Sequence, residues 1–512
     1  MKTKYIWFAF VLIGLTGCQN DDEGNIIVPG VDLTAGSADF SNFVAIGNSL
    51  TAGFTDNALF IAAQQNSMPN LMAQQFGLVG GGVFTQPLTN DNIGGLTLGG
   101  NVIAAPRLYF DGAVPALLPG LPTTEVSNIL SGPFNNMGVP GARGFHLLAN
   151  GFGNIGNIQL GLANPYFVRM ASSPNASVLE DALAQSPTFF SLWIGNNDVL
   201  GYATSGGDGS SSLTDQATFA GAYNAIVSAI GQTGAQGVIA NIPDVTSIPY
   251  FTTVPHNPLD PSNPAFGPQI AALNAAFAPL NAAFDFLGMP ERKVVFSETA
   301  ASALVIHDES LPNIAGPLSQ VLQGGGLDPL TAGLLAAQYG QSRQATADDL
   351  VVLPSATAIA TLNTDYFNFL VNLGVPPATA GQLSVNGLTF PFEDKWVLLP
   401  SEQMEVKLAT EAFNAVISSA AQGGGYAFVD ANALLGELDT SGLTSGNFTF
   451  TSSLVTGGAF GLDGVHPTSR GYALVANEFL KAIDAAYGST FNDSGNLLNV
   501  GDYPTNYSPL LN

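Results

Sequence analysis

Four short apolar segments constrain the fold of this chain more than any other feature of its sequence. Each is four to seven residues long, which suits a buried strand and is too short for a typical helix. They comprise residues 43–46, 188–194, 237–242 and 426–429. Segments with the apolar pattern of helices occupy residues 219–230, 402–421 and 470–486. Strands that alternate with helices predict an α/β fold, in which a mostly parallel sheet is covered by helices on both faces.

The first 18 residues have the organisation of a bacterial lipoprotein leader. Lys2 and Lys4 precede an apolar stretch at residues 5–15, which is too short to span a bilayer securely. Thr16 and Gly17 then precede Cys18, the only cysteine among 512 residues. This arrangement resembles a lipobox, so we expect a signal peptide that ends at residue 17 and a lipid on Cys18. The alternative is an ordinary signal peptide followed by an unrelated cysteine.

Composition divides the rest of the chain into a tether, one large domain and a tail. An acidic and polar stretch follows Cys18, and Gly- and Pro-rich or loop-like sequence interrupts the strand and helix pattern twice. We predict a tether at 18–40, an α/β domain at 41–490 with insertions at about 54–135 and 250–400, and a tail at 491–512. The acidic stretch resembles the export signal of some surface-exposed lipoproteins. We therefore expect a cell-envelope lipoprotein of the outer membrane, on either its periplasmic or its surface-exposed side.

One segment of the second insertion has a clear helical pattern. Its apolar residues recur at spacings of three and four and form a single stripe: Ile270, Leu273, Phe277, Leu280, Phe284 and Leu287. We expect a helix that packs on a core, with a lid over a substrate site as the alternative. Pro279 is expected to kink this helix.

Charge and cysteine content exclude several classes of function. Lys and Arg number 12 against 38 Asp and Glu, which gives a formal net charge of −26. Nucleic-acid binding requires clustered Lys and Arg, and we therefore expect no nucleic-acid partner. The single cysteine excludes an intramolecular disulfide and a cysteine-based zinc site. His307, Asp308 and Glu309 could form a metal site or a solvated acidic loop, and we favour the loop. We therefore predict no metal, and we also predict no organic cofactor.

Two segments at opposite ends of the predicted domain carry residues suited to nucleophilic catalysis. Ser49 lies in Gly47-Asn48-Ser49-Leu50-Thr51, directly after the first predicted strand, and sites in α/β sheets form at the carboxyl ends of strands. Asp463 precedes His466 by three residues on one predicted loop. A carboxylate so placed can hold one imidazole nitrogen and leave the other free to take a serine proton. Of the chain's four histidines, His466 alone has the local partner expected of a base.

Two further segments offer hydrogen-bond donors for an oxyanion, which serine-based acyl transfer needs. Gly141 ends Asn136-Met137-Gly138-Val139-Pro140-Gly141, and a glycine permits close approach to its backbone N–H. Asn197 lies in Gly195-Asn196-Asn197-Asp198, directly after the second predicted strand, and can present a side-chain amide. Taken singly, each segment is ordinary turn chemistry.

The order of these four segments resembles that of the SGNH/GDSL hydrolase family. The matching patterns are Gly-x-Ser-Leu, Asn-x-Gly-x-x-Gly, Gly-x-Asn-Asp and Asp-x-x-His-Pro, in this order between residues 47 and 468. The resemblance implies a three-layer α/β/α flavodoxin-like fold. It also implies Ser49 as nucleophile, His466 as base and Asp463 as the acid that orients it. The N–H of Ser49, Gly141 and Asn197 would form the oxyanion hole.

Asn48 departs from the family pattern, which has an aspartate at this position. The departure indicates either a decayed enzyme or a structural position at which a short polar side chain hydrogen-bonds local backbone N–H groups. We expect the structural role, because Asn and Asp can both accept such bonds. The rival nucleophile motif of α/β-hydrolases, Gly-x-Ser-x-Gly, does not occur, since Thr51 replaces the second glycine after Ser49.

These residues predict a serine ester hydrolase that acts through an acyl-enzyme without metal or organic cofactor. The 33 phenylalanines and the apolar insertions favour a lipid or acyl-chain ester as substrate, with a glycan O-acetyl ester as the alternative. The alternative functions are acyl transfer on the same fold and a surface binding lipoprotein without turnover. We favour the hydrolase because a competent residue fills every catalytic position.

Overall fold

A computed structural model describes residues 30–511 of the chain. The predicted signal peptide, the lipidation site predicted at Cys18 and most of the predicted tether lie outside the described residues. Residues 30–511 contain no helix that combines the length and the hydropathy of a membrane span.

Five parallel strands form the central sheet. In chain order they are β1 (Phe43–Gly47), β2 (Asn136–Gly138), β3 (Phe189–Trp193), β4 (Gln236–Ala240) and β5 (Ala427–Val429). Their order in the sheet is β2-β1-β3-β4-β5, and every neighbouring pair is parallel. The prediction of an α/β fold with a parallel sheet is therefore confirmed. Sequence analysis missed β2, whose three residues Asn-Met-Gly have no strand pattern of their own.

The described part of the chain contains sixteen α-helices. They are α1 (Ser49–Ala52), α2 (Ile61–Gln65), α3 (Met68–Gly77), α4 (Pro165–Val168), α5 (Val178–Leu183), α6 (Asn197–Thr204), α7 (Gln216–Gly231), α8 (Pro249–Thr252), α9 (Ile270–Phe286), α10 (Ala315–Gly324), α11 (Pro329–Tyr339), α12 (Thr364–Asn372), α13 (Pro377–Gln382), α14 (Pro400–Gly424), α15 (Ala431–Thr440) and α16 (Ser469–Tyr487). The helices predicted at 219–230, 402–421 and 470–486 correspond to α7, α14 and α16.

The central strands are buried on both faces, which explains their continuous apolar sequence. Successive residues of β3 point to opposite faces of the sheet, so Phe189 and Trp193, four positions apart, lie on the same face. Phe189 contacts Phe76 of α3, and Trp193 contacts Phe479 of α16. A second packed pair of helices consists of α7 and α14, whose rings Phe219 and Phe413 stack with their centroids 4.0 Å apart.

Five short antiparallel strand pairs lie outside the central sheet. Two are in the first predicted insertion, at residues 96–98 with 101–104 and 108–110 with 115–117. The other three pair residues 305–307 with 342–344, 350–351 with 397–398, and 443–445 with 448–450. The first insertion also contains α3, which packs on α16 and contributes Met72 and Phe76 to the main core. Sequence analysis described residues 54–135 as irregular and did not predict this helix.

A second hydrophobic core lies within residues 254–399 and is built around α9, α10 and α11. The apolar stripe predicted at 270–287 falls on α9, of which Ile270, Phe277 and Phe284 are buried. The prediction that this helix packs on a core is confirmed, although the core is distinct from that of the central sheet. The helix is continuous through Pro279, where sequence analysis expected a kink.

The two ends of the described chain pack against the main domain. Phe40, at the end of the predicted tether, stacks on Phe76 with ring centroids 3.9 Å apart. In the predicted tail, Phe491 and Val500 are buried in the main core. Tyr507 packs edge-on against Phe60 of the first insertion. The folded unit therefore includes the last residues of the tether and most of the tail.

Candidate active site

Ser49 lies at the carboxyl end of β1, where it is the first residue of the short helix α1. Asn48 precedes it as the N-cap, and the Asn48 side chain accepts a hydrogen bond from the N–H of Leu50 at 3.0 Å. The Asn48 amide also donates to the side-chain oxygen of Asn196 at 3.1 Å. The structural role expected of Asn48 is thus present as a bond to local backbone, together with a bond to the loop after β3.

The structure brings Ser49, His466 and Asp463 into one hydrogen-bonded chain. The Oγ atom of Ser49 lies 2.9 Å from Nε2 of His466, although 417 positions separate the two residues. The other ring nitrogen of His466, Nδ1, lies 3.0 Å from Oδ2 of Asp463. This is the geometry by which a carboxylate orients an imidazole that takes the proton of a serine hydroxyl.

Asp463 is surrounded by hydrogen-bond donors. Its Oδ1 accepts from the backbone N–H groups of Val465 and His466, each at 2.9 Å, and its Oδ2 accepts from the N–H of Asn57 at 2.8 Å. Burial by itself raises the pKa of Asp463, but the imidazole of His466 and these hydrogen bonds outweigh it, so the pKa lies below its ordinary value. Asp463 is therefore an ionised carboxylate at neutral pH.

The loop that carries Asp463 and His466 is fixed by contacts on two sides. The carbonyl of Gly464, between the two residues, accepts a hydrogen bond from the N–H of Tyr250 in α8 at 2.9 Å. The ring of Phe54 packs against the imidazole of His466 with ring centroids 4.7 Å apart. The imidazole is held by Asp463 on one edge and by an aromatic ring on its surface, so its rotation is restricted.

Asn197 and Gly141 occupy neighbouring positions but do not have the same relation to Ser49. Asn197 lines the same cavity as Ser49 and His466. Its side-chain amide donates to the carbonyl of Ala142 at 2.9 Å, which leaves the second N–H of that amide for another acceptor. Gly141 has φ = +79°, which favours glycine, and lies in the turn that Asn197 binds, but it is not among the residues that line the cavity.

An apolar cavity opens beside Ser49 and His466. Its volume is about 110 Å³, and it is open to solvent. Its polar side chains belong to Ser49, Asn196, Asn197 and His466, which all lie in the loops of the hydrogen-bonded site. The rest of its lining is mainly aliphatic and includes Leu200, Val245, Ile248, Leu434, Leu435, Leu438, Leu443 and Leu474.

Sequence analysis missed three features of this site. Asn196 reaches Asn48, and Asn57 reaches Asp463 through its backbone, but neither residue belongs to a pattern that predicts such a contact. The leucines of α15 that line the cavity recur at positions 434, 435 and 438, which is the spacing of one helix face. That spacing predicts a buried face and does not reveal that the face borders a cavity.

The alternative metal site at His307, Asp308 and Glu309 is not assembled in the structure. Asp308 instead forms an ion pair with Arg343 at 2.5 Å. Glu309 lies near Asp394 and Glu402, and ligand atoms of these three residues are within 4.8 Å of one another. This acidic cluster does not line the cavity beside Ser49.

Comparisons of the chain with protein-family models, with curated proteins and with solved structures gave no match.

Proposed function

We propose that this chain is a serine ester hydrolase of the SGNH/GDSL type. One observation supports the proposal most directly: the Ser49–His466–Asp463 chain of hydrogen bonds, at 2.9 and 3.0 Å, opens on an apolar cavity. A serine used only for helix capping or solubility does not require a histidine that is itself oriented by a buried carboxylate.

The strand order supports the finer assignment of the fold. The order β2-β1-β3-β4-β5 with all strands parallel is that of flavodoxin-like α/β proteins. In such sheets ligands bind at the carboxyl ends of the strands where the strand order reverses, which here is between β1 and β3. Ser49 follows β1 and Asn197 follows β3. We therefore propose the three-layer SGNH fold for the part of the chain outside residues 254–399.

The reaction follows from the positions of the side chains. His466 Nε2 accepts the proton of Ser49 as Oγ attacks the ester carbonyl, and Asp463 stabilises the imidazolium that forms. The backbone N–H of Ser49 and the free amide N–H of Asn197 would donate to the oxyanion. His466 then gives its proton to the departing alcohol, and a water molecule activated by the same imidazole releases the acid from Ser49.

The cavity favours an aliphatic acyl chain over an O-acetylated glycan. A site that recognises a sugar must present several polar side chains that hydrogen-bond to the sugar hydroxyls. These polar side chains are left unpaired when the sugar is absent. The cavity offers four polar side chains, all of them at the reacting end, and its remaining wall is mainly leucine, valine and isoleucine. An alkyl chain would bury apolar surface there at no cost in lost hydrogen bonds.

The test is ester hydrolysis by wild type, Ser49→Ala and Ser469→Ala. Ser469 is the matched control because it is likewise a buried serine at the first position of a helix. We expect Ser49→Ala to lower kcat by roughly four to six orders of magnitude and Ser469→Ala to retain most of it. An inactive wild type, or a Ser49→Ala variant with undiminished kcat, would refute the hydrolase.

The same assay measures the substrate class. With p-nitrophenyl esters of increasing chain length, kcat/KM should rise about three- to fourfold per methylene until the cavity is filled. Leu434→Trp, on the cavity side of α15, should shift the preference to shorter chains. Ala433→Trp, on the exposed side of the same helix, should not. A preference for acetate in wild type would instead favour an O-acetyl ester.

We also propose that the protein is anchored in the cell envelope through a lipid on Cys18. The leader and the position of the only cysteine support this proposal. Cys18→Ser should then move the protein out of the membrane fraction or block its processing, while the folded domain keeps its activity. Recovery of both forms in the same soluble fraction would contradict the anchor.

A further inference from the structure

A tight two-residue turn follows Ser49 on the way into the first insertion. Thr55 and Ala58 exchange both backbone hydrogen bonds, at 3.1 and 3.0 Å. The two residues between them, Asp56 and Asn57, have φ values of 51° and 64°. Successive positive φ values at the centre of such a turn are typical of type I′, which usually requires Gly, Asn or Asp. Residues other than glycine are strained when the backbone holds them at positive φ. Such strained residues are concentrated at functional sites.

Both central residues of this turn bind the loop of the catalytic acid. The backbone N–H of Asn57 donates at 2.8 Å to Oδ2 of Asp463, the same oxygen that lies 3.0 Å from Nδ1 of His466. The side-chain Oδ1 of Asp56 accepts from the N–H of Leu462, the residue before Asp463, at 2.9 Å. The turn therefore holds Asp463 twice, once through its carboxylate and once through the peptide that precedes it.

The two loops also approach closely. A methyl group at Gly461 would lie 2.5 Å from the Thr55 hydroxyl and 3.1 Å from Oδ1 of Asp56, so no side chain fits there. Asp56 is buried, and its carbonyl accepts the N–H of Leu108 at 2.7 Å. The turn is thus bonded to the loop of Asp463 on one side and to Leu108 on the other. It cannot shift without moving Asp463.

We propose that the turn formed by Thr55, Asp56, Asn57 and Ala58 is a positioning element for the reaction. In this assignment, which rests on the proposed hydrolase function, Asp56 and Asn57 fix the carboxylate of Asp463 against the imidazole of His466. They touch neither substrate nor the reacting atoms. Their effect is transmitted through Asp463, whose orientation sets that of the base.

Asp56 does not have to be charged to hold the loop of Asp463. Burial raises the pKa of Asp56 to about 7; the Leu462 N–H lowers it, Asp463 raises it and Arg107 lowers it. The hydrogen bond from the Leu462 N–H does not depend on this charge, because the oxygen of a neutral carboxyl group or of an amide also accepts.

The test compares Asp56→Ala, Asp56→Asn and Asp111→Ala in the full-length protein. Asp111 is the control because its carboxylate accepts the backbone N–H groups of Ala113 and Val114 in its own turn, rather than one in the loop of Asp463. We expect Asp56→Ala to lower kcat by about 10- to 100-fold with little change in KM, as expected for a displaced catalytic group. Asp56→Asn should restore most of kcat, since an amide oxygen can still accept from Leu462.

Two variants of Asn57 test the backbone contact. Asn57→Gly keeps both the positive φ and the N–H and should resemble wild type, whereas Asn57→Val disfavours the turn and should lose kcat as Asp56→Ala does. The positioning role is wrong if Asp56→Ala has wild-type kcat. If Asp56→Ala does not fold, a wild-type kcat for Asn57→Val refutes it instead. Failure of the proposed function itself would be recognised separately, because wild type would then lack Ser49-dependent activity.

Discussion

Asp463 and Glu402 are both largely buried carboxylates, but their surroundings change their acidity in opposite directions. At Asp463, three backbone N–H groups and an imidazole outweigh burial and keep the pKa below its ordinary value. At Glu402, one backbone N–H from Leu399 is the only lowering influence, and burial and the acidic neighbours Glu309 and Asp394 raise the pKa to about 9. Asp463 is thus charged at neutral pH, and Glu402 is protonated.

The difference shows that burial of a carboxylate does not identify a catalytic acid. Asp463 keeps its charge because donors surround it, and that charge is directed at a histidine that contacts a serine. Glu402 loses its charge to burial and to like-charged neighbours, and it caps the N-terminus of α14 through Leu399. The number and direction of hydrogen-bond donors therefore decide whether a buried carboxylate keeps its charge.

The largest expected effect separates the two carboxylates by activity. Asp463→Asn should lower kcat by roughly 10³- to 10⁴-fold, because an amide neither stabilises the imidazolium nor selects the same tautomer of His466. Glu402→Gln should change kcat by less than about twofold, since the acidic cluster does not line the cavity. Steady-state kinetics with the best p-nitrophenyl ester measures both. Equal losses in the two variants would remove the distinction.

A smaller effect is expected at the oxyanion. Asn197→Ala should lower kcat by about 10²- to 10³-fold with little change in KM, the usual result of removing one such donor. Asn196→Ala should be milder, because the Asn196 side chain contacts Asn48 rather than the carbonyl that Asn197 holds. The reverse order would mean that Asn196 is the oxyanion donor of the pair.

The smallest expected effect concerns stability at Glu402. The pKa of Glu402 is about 9 in the folded protein and about 4.5 in the unfolded chain. Between these two pH values the folded protein therefore keeps a proton that the unfolded chain releases. The stability contributed by this proton is complete below about pH 4.5 and is lost as the pH rises toward 9. Glu402→Gln cannot ionise, so its Tm should fall less between pH 5 and 9 and exceed that of wild type by roughly 1–3 °C at pH 8.5. Identical Tm profiles from thermal unfolding would show that Glu402 is ionised in the folded protein.

Sequence analysis could predict the parts of this structure that local pattern determines. The apolar runs that became β1, β3, β4 and β5 are visible in the sequence, as is the spacing of three residues between Asp463 and His466. Strand β2 was not visible, because Asn136, Met137 and Gly138 form a strand only through their pairing with β1.

The rest of the candidate site depends on contacts between distant parts of the chain. The N–H of Asn57 meets Asp463 across 406 positions, and no periodicity or composition encodes that meeting. The cavity likewise arises where α6, α15 and α16 approach one another, so its leucines could be identified as buried but not as lining a binding site. Gly141 has the positive φ of a turn residue, and it lies next to Ala142, whose carbonyl Asn197 binds across 55 positions.

The most direct test is to identify the residue that a fluorophosphonate probe modifies. This reagent reacts with serines that a neighbouring base activates. Wild-type protein should carry one adduct, found by peptide mapping at Ser49, and its rate of formation should fall as the pH is lowered and His466 becomes protonated. Asp463→Asn should form the same adduct more slowly, and Glu402→Gln should form it at the wild-type rate. A protein that is not modified, or an adduct on a serine other than Ser49, would contradict the assignment of the nucleophile and with it the proposed function.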